Sequence, residues 1–467
     1  MNVQFHGKGE GTLLFERIVS DGIAHNSYLV GSGGKAAVID PRRDCDIYHE
    51  IAGRNELLIT HIFETHRNED YTIGSLELQK RCGAEIFHGA RLPFTYGKQV
   101  KEGDAFTLGS LVISVLETPG HTEESISLVV RDTEVSDQPY MVFSGDTLFA
   151  GDIARTDFFG QEKKAEMAEK IYDSIEKKIL PLGEGVILCP AHGAGSVCGG
   201  EIANHPFTTI GYEKATNPQL ALGRERFISQ RISESPYTPP YFRQMELYNL
   251  NGAPILKSLP DLRYLSIAEI NQFRKSSCQI VDIRSPTSFG AGHIPGSISV
   301  WREGLAAFIG WVLDYQRPVI IVDDFNLDFD HVLRHFIRLG YDNVAGVLSG
   351  GFPAWTKGAQ EIQMVPTCSV WQLKDVLEKE HPFILDVRDI KNWRAVGHIH
   401  GAHHIYVGEL PLHLDEIPKD EHLVIYCDAG YKGSLAASIL LSHHFHDMTN
   451  VLGGMTAWKK AGFRIEK

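Results

Sequence analysis

Three short blocks in the second half of the chain occur twice, at an offset of about 104 residues. Val281-Asp282-Ile283-Arg284 is answered by Leu385-Asp386-Val387-Arg388, and Gly292-His293-Ile294-Pro295-Gly296 by Gly397-His398-Ile399-His400-Gly401. Val347-Leu348-Ser349-Gly350-Gly351, ending in Ala354-Trp355, is answered by Val451-Leu452-Gly453-Gly454, ending in Ala457-Trp458. An offset that holds through three blocks means two copies of one domain, and a period of that length is too long for a solenoid. The repeat constrains the whole chain. Its 467 residues are too many for one hydrophobic core. The expected division is a first domain over 1–245, a linker over 246–261, and repeat copies over 262–361 and 366–467.

The first 240 or so residues alternate short apolar runs with turn signals. Ala36–Asp40, Leu57–Thr60, Leu111–Leu116, Met141–Phe143 and Val186–Leu188 predict strands, and 161–178, rich in Ala, Glu and Lys, predicts a helix. His66, His121, Asp146 and His192 each lie just past a strand, where α/β proteins gather their sites. From Ser235 to Pro260 the sequence becomes rich in Pro, Tyr and Asn without periodicity, which predicts a linker or a strap.

Lys plus Arg is 45 and Asp plus Glu is 59, a net charge of −14. With no basic run to reverse it locally, this argues against nucleic acid or an anionic membrane as the main partner. Met1 to Lys8 lacks the apolar core of a signal peptide, and no stretch approaches the length of a membrane span, so a cytoplasmic location is expected. The seven cysteines are odd in number and widely spaced, with Cys189 and Cys198 the closest pair. That is not a disulfide framework. Cys45, Cys82, Cys278 and Cys368 are expected to be structural.

Glu64-Thr65-His66, Thr118-Pro119-Gly120-His121-Thr122, Ser144-Gly145-Asp146-Thr147-Leu148-Phe149, Arg155-Thr156-Asp157-Phe158 and Pro190-Ala191-His192 together resemble the persulfide dioxygenase branch of the metallo-β-lactamase superfamily. The resemblance covers about residues 1–245 and implies an αββα sandwich. It also implies that His66, His121 and Asp146 hold one Fe(II) per chain. Where the superfamily usually carries His-x-His-x-Asp-His, this chain has His66-Arg67-Asn68-Glu69-Asp70-Tyr71, so Asn68 and Tyr71 replace two nitrogen ligands. Two imidazoles and one carboxylate suit a mononuclear ferrous site that leaves positions open for dioxygen and a substrate sulfur. A dinuclear zinc hydrolase needs more ligands than remain. Asp70 and His192, which would serve a second metal in dinuclear relatives, are expected to orient ligands or bound water by hydrogen bonds instead. Arg155 and Lys214 are candidates for receiving the carboxylates of a thiol cosubstrate. Cys198, in the glycine-rich run Gly193-Ala194-Gly195-Ser196-Val197-Cys198-Gly199-Gly200, is expected to be exposed and able to carry a persulfide near the iron.

The repeat resembles the rhodanese (sulfurtransferase) fold in both copies. The last copy carries Val424-Ile425-Tyr426-Cys427-Asp428-Ala429-Gly430-Tyr431-Lys432-Gly433-Ser434. A strand ending at Cys427 and a helix starting near Ser434 leave a short loop whose amides can point inward. Such a cradle is expected to lower the thiol pKa and hold an anionic sulfur, making Cys427 the sulfur carrier, with Gly430 and Lys432 binding substrate. Lys432 replaces the Arg of the family pattern Cys-x-x-Gly-x-Arg, keeping the charge but losing the fork. The middle copy has Asp323 where Cys427 stands and cannot do the same chemistry; a spacer or docking role is expected.

The whole resembles persulfide dioxygenase–rhodanese fusions: an α/β multidomain chain with a metallo-β-lactamase αββα sandwich followed by two rhodanese-like α/β domains. The resemblance implies oxidation of a thiol persulfide (of glutathione, coenzyme A or bacillithiol) by O2, giving sulfite and the free thiol. Transfer of sulfur from Cys427 to sulfite would then give thiosulfate, in the service of sulfide or persulfide detoxification. Self-association is expected of such an enzyme. A zinc thioester hydrolase of the glyoxalase II type is the alternative, and a non-catalytic sulfur-sensing scaffold a third reading; the first is disfavoured by Asn68 and Tyr71, the second by Cys427 and the His66, His121, Asp146 set.

Overall fold

The computed structural model describes residues 13–256 and 259–467. The segment Met1–Lys8, expected to lack a signal peptide, lies outside them. Two compact units are present: the chain up to Leu259 together with Ile337–Gly340, and the rest from Pro260 onward.

The first unit contains two six-stranded sheets. One is β1 (Leu14–Ser20), β2 (His25–Ser32), β3 (Lys35–Ile39), β4 (Leu58–Phe63), β5 (Glu85–Gly89) and β6 (Lys98–Val100), hydrogen-bonded in that order. The other is β7 (Ala105–Leu108), β8 (Leu111–Glu117), β9 (Ile126–Asp132), β10 (Met141–Gly145), β11 (Ile187–Pro190) and β12 (Thr208–Thr209), again in order. β3, β4, β5 and β6 run parallel, as do β10 and β11, while the meander β7–β10 is antiparallel. Tyr28, Val30, Phe63 and Phe87 from one sheet meet Ile113, Leu128 and Phe143 from the other in a shared apolar layer. The outer face of the first sheet packs Leu29, Val38 and Ile62 on the helices Asp46–Arg54 and Ser75–Cys82. The outer face of the second packs Val129 and Val142 on Lys164–Ser174 and Arg224–Ser233. Strands that are apolar on both faces need helices on both sides, and the αββα sandwich is the result.

The segment expected to be a linker is partly helical. Phe242–Asn251 forms a helix with Phe242, Met245 and Asn249 buried, so the boundary expected at 245 falls inside it. Its Tyr and Asn residues are poor helix formers, and burial overrides that weak preference.

The second unit holds two sheets of identical topology. β13 (Tyr264–Leu265), β14 (Gln279–Asp282), β15 (Ile298–Ser299), β16 (Val319–Val322) and β17 (Val344–Leu348) are ordered β13-β17-β16-β14-β15. β18 (Thr367–Cys368), β19 (Phe383–Asp386), β20 (His403–His404), β21 (Leu423–Tyr426) and β22 (Met448–Val451) are ordered β18-β22-β21-β19-β20. All pairs are parallel. The repeated motifs hold the fold. Arg284 makes a bidentate pair with Asp282 and donates to Gly292 O, and Arg388 does the same with Asp386 and Gly397 O. Asp-x-Arg thus ties a strand end to the Gly-His-Ile turn. The second glycine of each Gly-Gly pair, Gly351 (φ +63°) and Gly454 (φ +46°), lies against the backbone just past β16 and β21; a Cβ would come within 2.4 Å of Asp324 O and 2.1 Å of Cys427 O. Only glycine permits that approach at positive φ.

Candidate metal centre and sulfur-carrying loop

β4, β8, β10 and β11 deliver His66, His121, Asp146 and His192 to one edge of the sandwich, and all four are buried. Metal-facing atoms of His66, His121 and Asp146 lie within 4.8 Å of one another; Asp146 Oδ2 is 3.8 Å from His66 Nε2 and 3.5 Å from His121 Nε2. The rings are held from behind. Thr65 Oγ1 donates to Asp40 Oδ2 (2.7 Å) and so is left to accept from His66 Nδ1–H (2.9 Å). His121 Nδ1–H donates to Arg155 O (2.9 Å). Both rings therefore turn a bare Nε2 inward. Burial pushes His66 down to about 4, so it is a neutral donor at physiological pH. At His121 burial pulls the same way, but the Glu69 and Asp146 carboxylates outweigh it and the net direction is up: two anions converge on its Nε2.

Among the described residues, His66 Nε2, His121 Nε2 and Glu69 Oε2 are buried without a hydrogen-bond partner. An orphaned buried polar atom costs about 1–3 kcal/mol. A cation between the two imidazoles and the Asp146 carboxylate would satisfy both Nε2 atoms, so the donor set of His66, His121 and Asp146 fits a metal. Glu69 was not among the residues singled out in the sequence. It is buried, its Oε1 accepts from Arg67 (3.1 Å), and its Oε2 stands 3.5 Å from His121 Nε2. Nothing in the periodicity distinguishes it from a loop charge.

Asp70 and His192 adjoin this cluster. His192 Nδ1 is 2.7 Å from Asp146 Oδ1 and its Nε2 is 3.0 Å from Asp70 Oδ2. Burial lowers the pKa of His192, but the two carboxylates more than reverse this and hold it well above the usual histidine value. Cys198 lies close enough to join Asp70 and His192 as a third donor. The expectation that its glycine-rich surroundings expose it is incorrect: Cys198 is 1% exposed, within the apolar cluster of Phe149, Ile153 and Ile202. Burial, then Asp70 and Asp146, push its thiol well above the usual range, which keeps it protonated. Cys45, Cys189 and Cys278 are buried and Cys82 and Cys368 half-buried, all as free thiols.

The structure occupies both cations considered for substrate carboxylates. Arg155 is 5% exposed, bidentate to Asp157 (2.7 and 2.8 Å), bonded to Tyr237 O and set over the Phe158 ring. Lys214 pairs with Glu184 at the surface (2.9 Å). Sequence reasoning also missed Asn249, on the helix of the expected linker. Its Nδ2 donates to Asn68 O and Tyr71 O (2.7 Å each), and its Oδ1 accepts from Ile73 N–H (3.0 Å). It pins the loop that carries Asn68, Glu69, Asp70 and Tyr71. Tyr71 is itself buried, 4.0 Å from the His25 ring.

In the last domain Cys427 follows β21 directly and is buried, with Gly430 N–H 3.1 Å from Sγ. Gly430 turns the chain at φ +98° into the helix Tyr431–Ser442. The expectation of a lowered thiol pKa is reversed in this resting loop. Burial raises it, and the amides of Gly433, Ala429 and Gly430 with the Lys432 charge offset only part. Lys432 pairs with Asp428 (3.0 Å) and lies 3.8 Å from Asp389, so its charge is shared with two carboxylates. In the middle domain Asp323 follows β16 at the equivalent place and pairs with Arg302 (3.0 Å).

Comparison with known proteins agrees with this architecture. Residues 20–192 match the metallo-beta-lactamase superfamily, and 267–358 and 369–461 each match the rhodanese-like domain. The chain belongs to the rhodanese-like family and joins two copies of that domain to a metallo-beta-lactamase domain. Thiosulfate sulfurtransferase GlpE of Shewanella oneidensis is 36% identical over 98 residues, 21% of this chain and 95% of the relative. Persulfide dioxygenase ETHE1 of Bos taurus is 26% identical over 237 residues, 48% of this chain and 82% of the relative. Hydroxyacylglutathione hydrolase GloC of Haemophilus influenzae is 27% identical over 209 residues, 40% and 87%. A solved metallo-beta-lactamase from Staphylococcus aureus subsp. aureus COL, 29% identical, covers 72% of this chain and 99% of its own, with a TM-score of 0.64. The chain is an enzyme of metal-binding and sulfurtransferase ancestry. No helix among the described residues is long and apolar enough to cross a membrane.

Proposed function

We propose that the first domain is a mononuclear Fe(II) persulfide dioxygenase and the last a thiosulfate-forming sulfurtransferase. The observation that carries this is the convergence of His66 Nε2, His121 Nε2 and the Asp146 carboxylate beside Asn68 and Tyr71, which offer no ring nitrogen. The overall reaction balances as RSSH + O2 + H2O → RSH + SO3²⁻ + 2 H⁺. Ferrous iron, when bound, supplies a redox centre with open positions for O2 and substrate sulfur. His66, His121 and Asp146 would hold it, Thr65 and the Arg155 carbonyl fix the rings, and His192 fixes the Asp146 carboxylate. Phe158, with its ring 5.1 Å from that of His121, keeps the surroundings apolar and limits water.

In the last domain Cys427 Sγ attacks the outer sulfur of a persulfide or thiosulfate. The S–S bond breaks, its electron pair leaves with the thiolate or sulfite, and the sulfur remains as a Cys427 persulfide. Sulfite then attacks that outer sulfur and releases thiosulfate and the Cys427 thiolate. Tethering both domains in one chain raises the effective concentration of sulfite at the second step. The partners proposed are a low-molecular-weight thiol persulfide, O2 and sulfite, in a cytoplasmic, self-associating enzyme.

A zinc thioester hydrolase is favoured by one observation, the second donor group of Asp70, His192 and Cys198, and by the hydroxyacylglutathione hydrolase relative. Oxygen uptake by anaerobically Fe(II)-loaded protein separates the two. Persulfide-dependent uptake with about one iron per chain supports the dioxygenase; zinc content with cleavage of a glutathione thioester and no uptake refutes it.

A further inference from the structure

The middle rhodanese-like domain lacks the thiol, yet it packs through β15 on the helix that begins at the Cys427 loop. Ser299, at the end of β15, places its Oγ 2.9 Å from Ser434 Oγ and donates its backbone N–H to Ser438 Oγ (3.1 Å). Two residues on, the Trp301 ring lies 5.1 Å from the Tyr431 ring. Tyr431 stands between Gly430, whose amide meets Cys427 Sγ, and Lys432. Trp301 is fixed on its other sides. A Cβ on Gly304 would come within 2.6 Å of the indole, and Phe308 is 5.2 Å away. The next residue, Arg302, pairs with Asp323 Oδ2 at 3.0 Å and donates to Asp328 O at 3.2 Å. Asp323 is the residue that replaces the cysteine.

We propose that the middle domain braces the catalytic loop of the last one. Asp323 holds Arg302, this fixes the turn carrying Trp301, and Trp301 holds Tyr431, so the loop keeps its amides aimed at Cys427 Sγ. Asp323, Trp301 and Tyr431 are positioning residues for sulfur transfer. The replacement of cysteine by aspartate in the middle copy then has a reason. A carboxylate at the strand end forms the charge-assisted bond to Arg302 that a thiol could not, and the lost catalytic site becomes a strut. A mere spacer would need none of these contacts. The inference rests on Cys427 being the sulfur carrier and is independent of the metal centre.

The test uses the full-length protein and thiosulfate-to-cyanide sulfur transfer, with W301A, Y431A, the W301A/Y431A pair, W301F and D323N. Aromatic pairs contribute about 0.5–1.5 kcal/mol beyond area, so W301A and Y431A are each expected to lower kcat/KM about 2- to 10-fold. The double variant should be no worse than the more impaired single one, because one interaction is lost once; W301F should recover most of the activity. D323N should reproduce the direction of W301A without removing an apolar side chain. The pH dependence of Cys427 alkylation by iodoacetamide, followed on the peptide bearing it, should shift in W301A and D323N, a readout that loss of global stability would not move. Additive losses in the double variant, or parental kinetics in both D323N and W301A, overturn the brace. Full transfer activity in C427S would instead overturn the sulfur-carrier assignment on which it rests.

Discussion

Thr65→Val tests the proposed metal centre at its least replaceable support. Thr65 is 1% exposed. Its hydroxyl bridges Asp40 Oδ2 (2.7 Å) and His66 Nδ1 (2.9 Å), and Gly145 packs so closely that an added Cβ there would touch it at 2.6 Å. Valine matches the shape and removes both bonds, while the backbone bond from Thr65 N–H to Asp40 Oδ1 (2.7 Å) survives. Two consequences separate. Leaving buried polar groups unpaired costs about 1–3 kcal/mol of stability, with or without metal. Losing the acceptor that fixes the ring proton on Nδ1 weakens metal affinity by about 10- to 100-fold, equal to roughly 1.4–2.8 kcal/mol. The assay is an anaerobic Fe(II) titration of apoprotein against a competing chelator, with thermal unfolding of the same apoprotein alongside. Thr65→Ser, which restores the hydroxyl, should regain most of the affinity. A Thr65→Val protein that is folded and binds iron within about twofold of the parent refutes the argument, because the resolution expected of a supporting hydrogen bond is tenfold.

Cys427→Ser is expected to abolish sulfur transfer and leave persulfide-dependent O2 uptake within about twofold, since its site and the metal centre lie in different units; loss of both activities in a folded protein would show that the two reactions share a step. Asn68→His with Tyr71→His returns two nitrogen donors beside Asp70 and His192, and should raise metal content by inductively coupled plasma analysis from about one toward two per chain; an unchanged ratio would mean that donor count does not set the stoichiometry. His293 is stacked on Phe289 (3.8 Å) and held by burial at about 4. Its folded-state value lies below the unfolded one, so it stabilises the middle domain above about pH 6.5, and that stabilisation is lost as pH falls from 6.5 to 4, by up to roughly 3 kcal/mol. Amide exchange across 262–361 at pH 7 and pH 5 should show the loss in the parent and a flatter response in His293→Gln; equal pH responses would exclude His293 as the cause.

The repeat was legible because its motifs encode local backbone requirements. Asp-x-Arg closes onto the Gly-His-Ile turn carbonyl, and Gly-Gly admits a neighbouring backbone, so each leaves the same residues at the same offset. The strand-end positions of His66, His121, Asp146 and His192 were legible for a related reason: an apolar run must stop where the chain turns to its polar site. What escaped depends on partners distant in sequence. Asn249 contacts Asn68 and Tyr71 across more than 170 positions, and nothing near Asn249 announces this. The glycines around Cys198 signal a tight loop but not the direction in which the thiol points, which is inward against Phe149 and Ile202. Arg155 looks the same in sequence whether it meets a substrate carboxylate or Asp157. For Cys427 the cradle of amides was legible, but the burial that outweighs it belongs to the folded domain.

The presence of Asp70 and His192 beside a centre proposed to hold one metal has a physical explanation in their pairing. In a two-metal site both would point at the second cation, and Asp146 would be shared between the two. Here His192 lies between Asp146 and Asp70, within 3.0 Å of each, and the two carboxylates hold its pKa well above the usual histidine value. A protonated His192 would fill the role of the second cation. Asn68 and Tyr71 suit that arrangement: the amide brings no charge, and burial holds the Tyr71 phenol well above its usual value, so neither adds an anion that a single imidazolium could not offset. A second divalent ion would have to displace the His192 proton and take its remaining donor from Cys198, whose thiol is held protonated by burial and by the same carboxylates. Asp146 meanwhile gains a charge-assisted bond that fixes its orientation and stays ionised, which is what a single metal with two imidazoles requires of its one carboxylate. On this reasoning, removing the imidazolium with His192→Gln should weaken binding of the first metal, not merely spare a second, and a chelator competition that found it unchanged would break the link between the proton and the one-metal site.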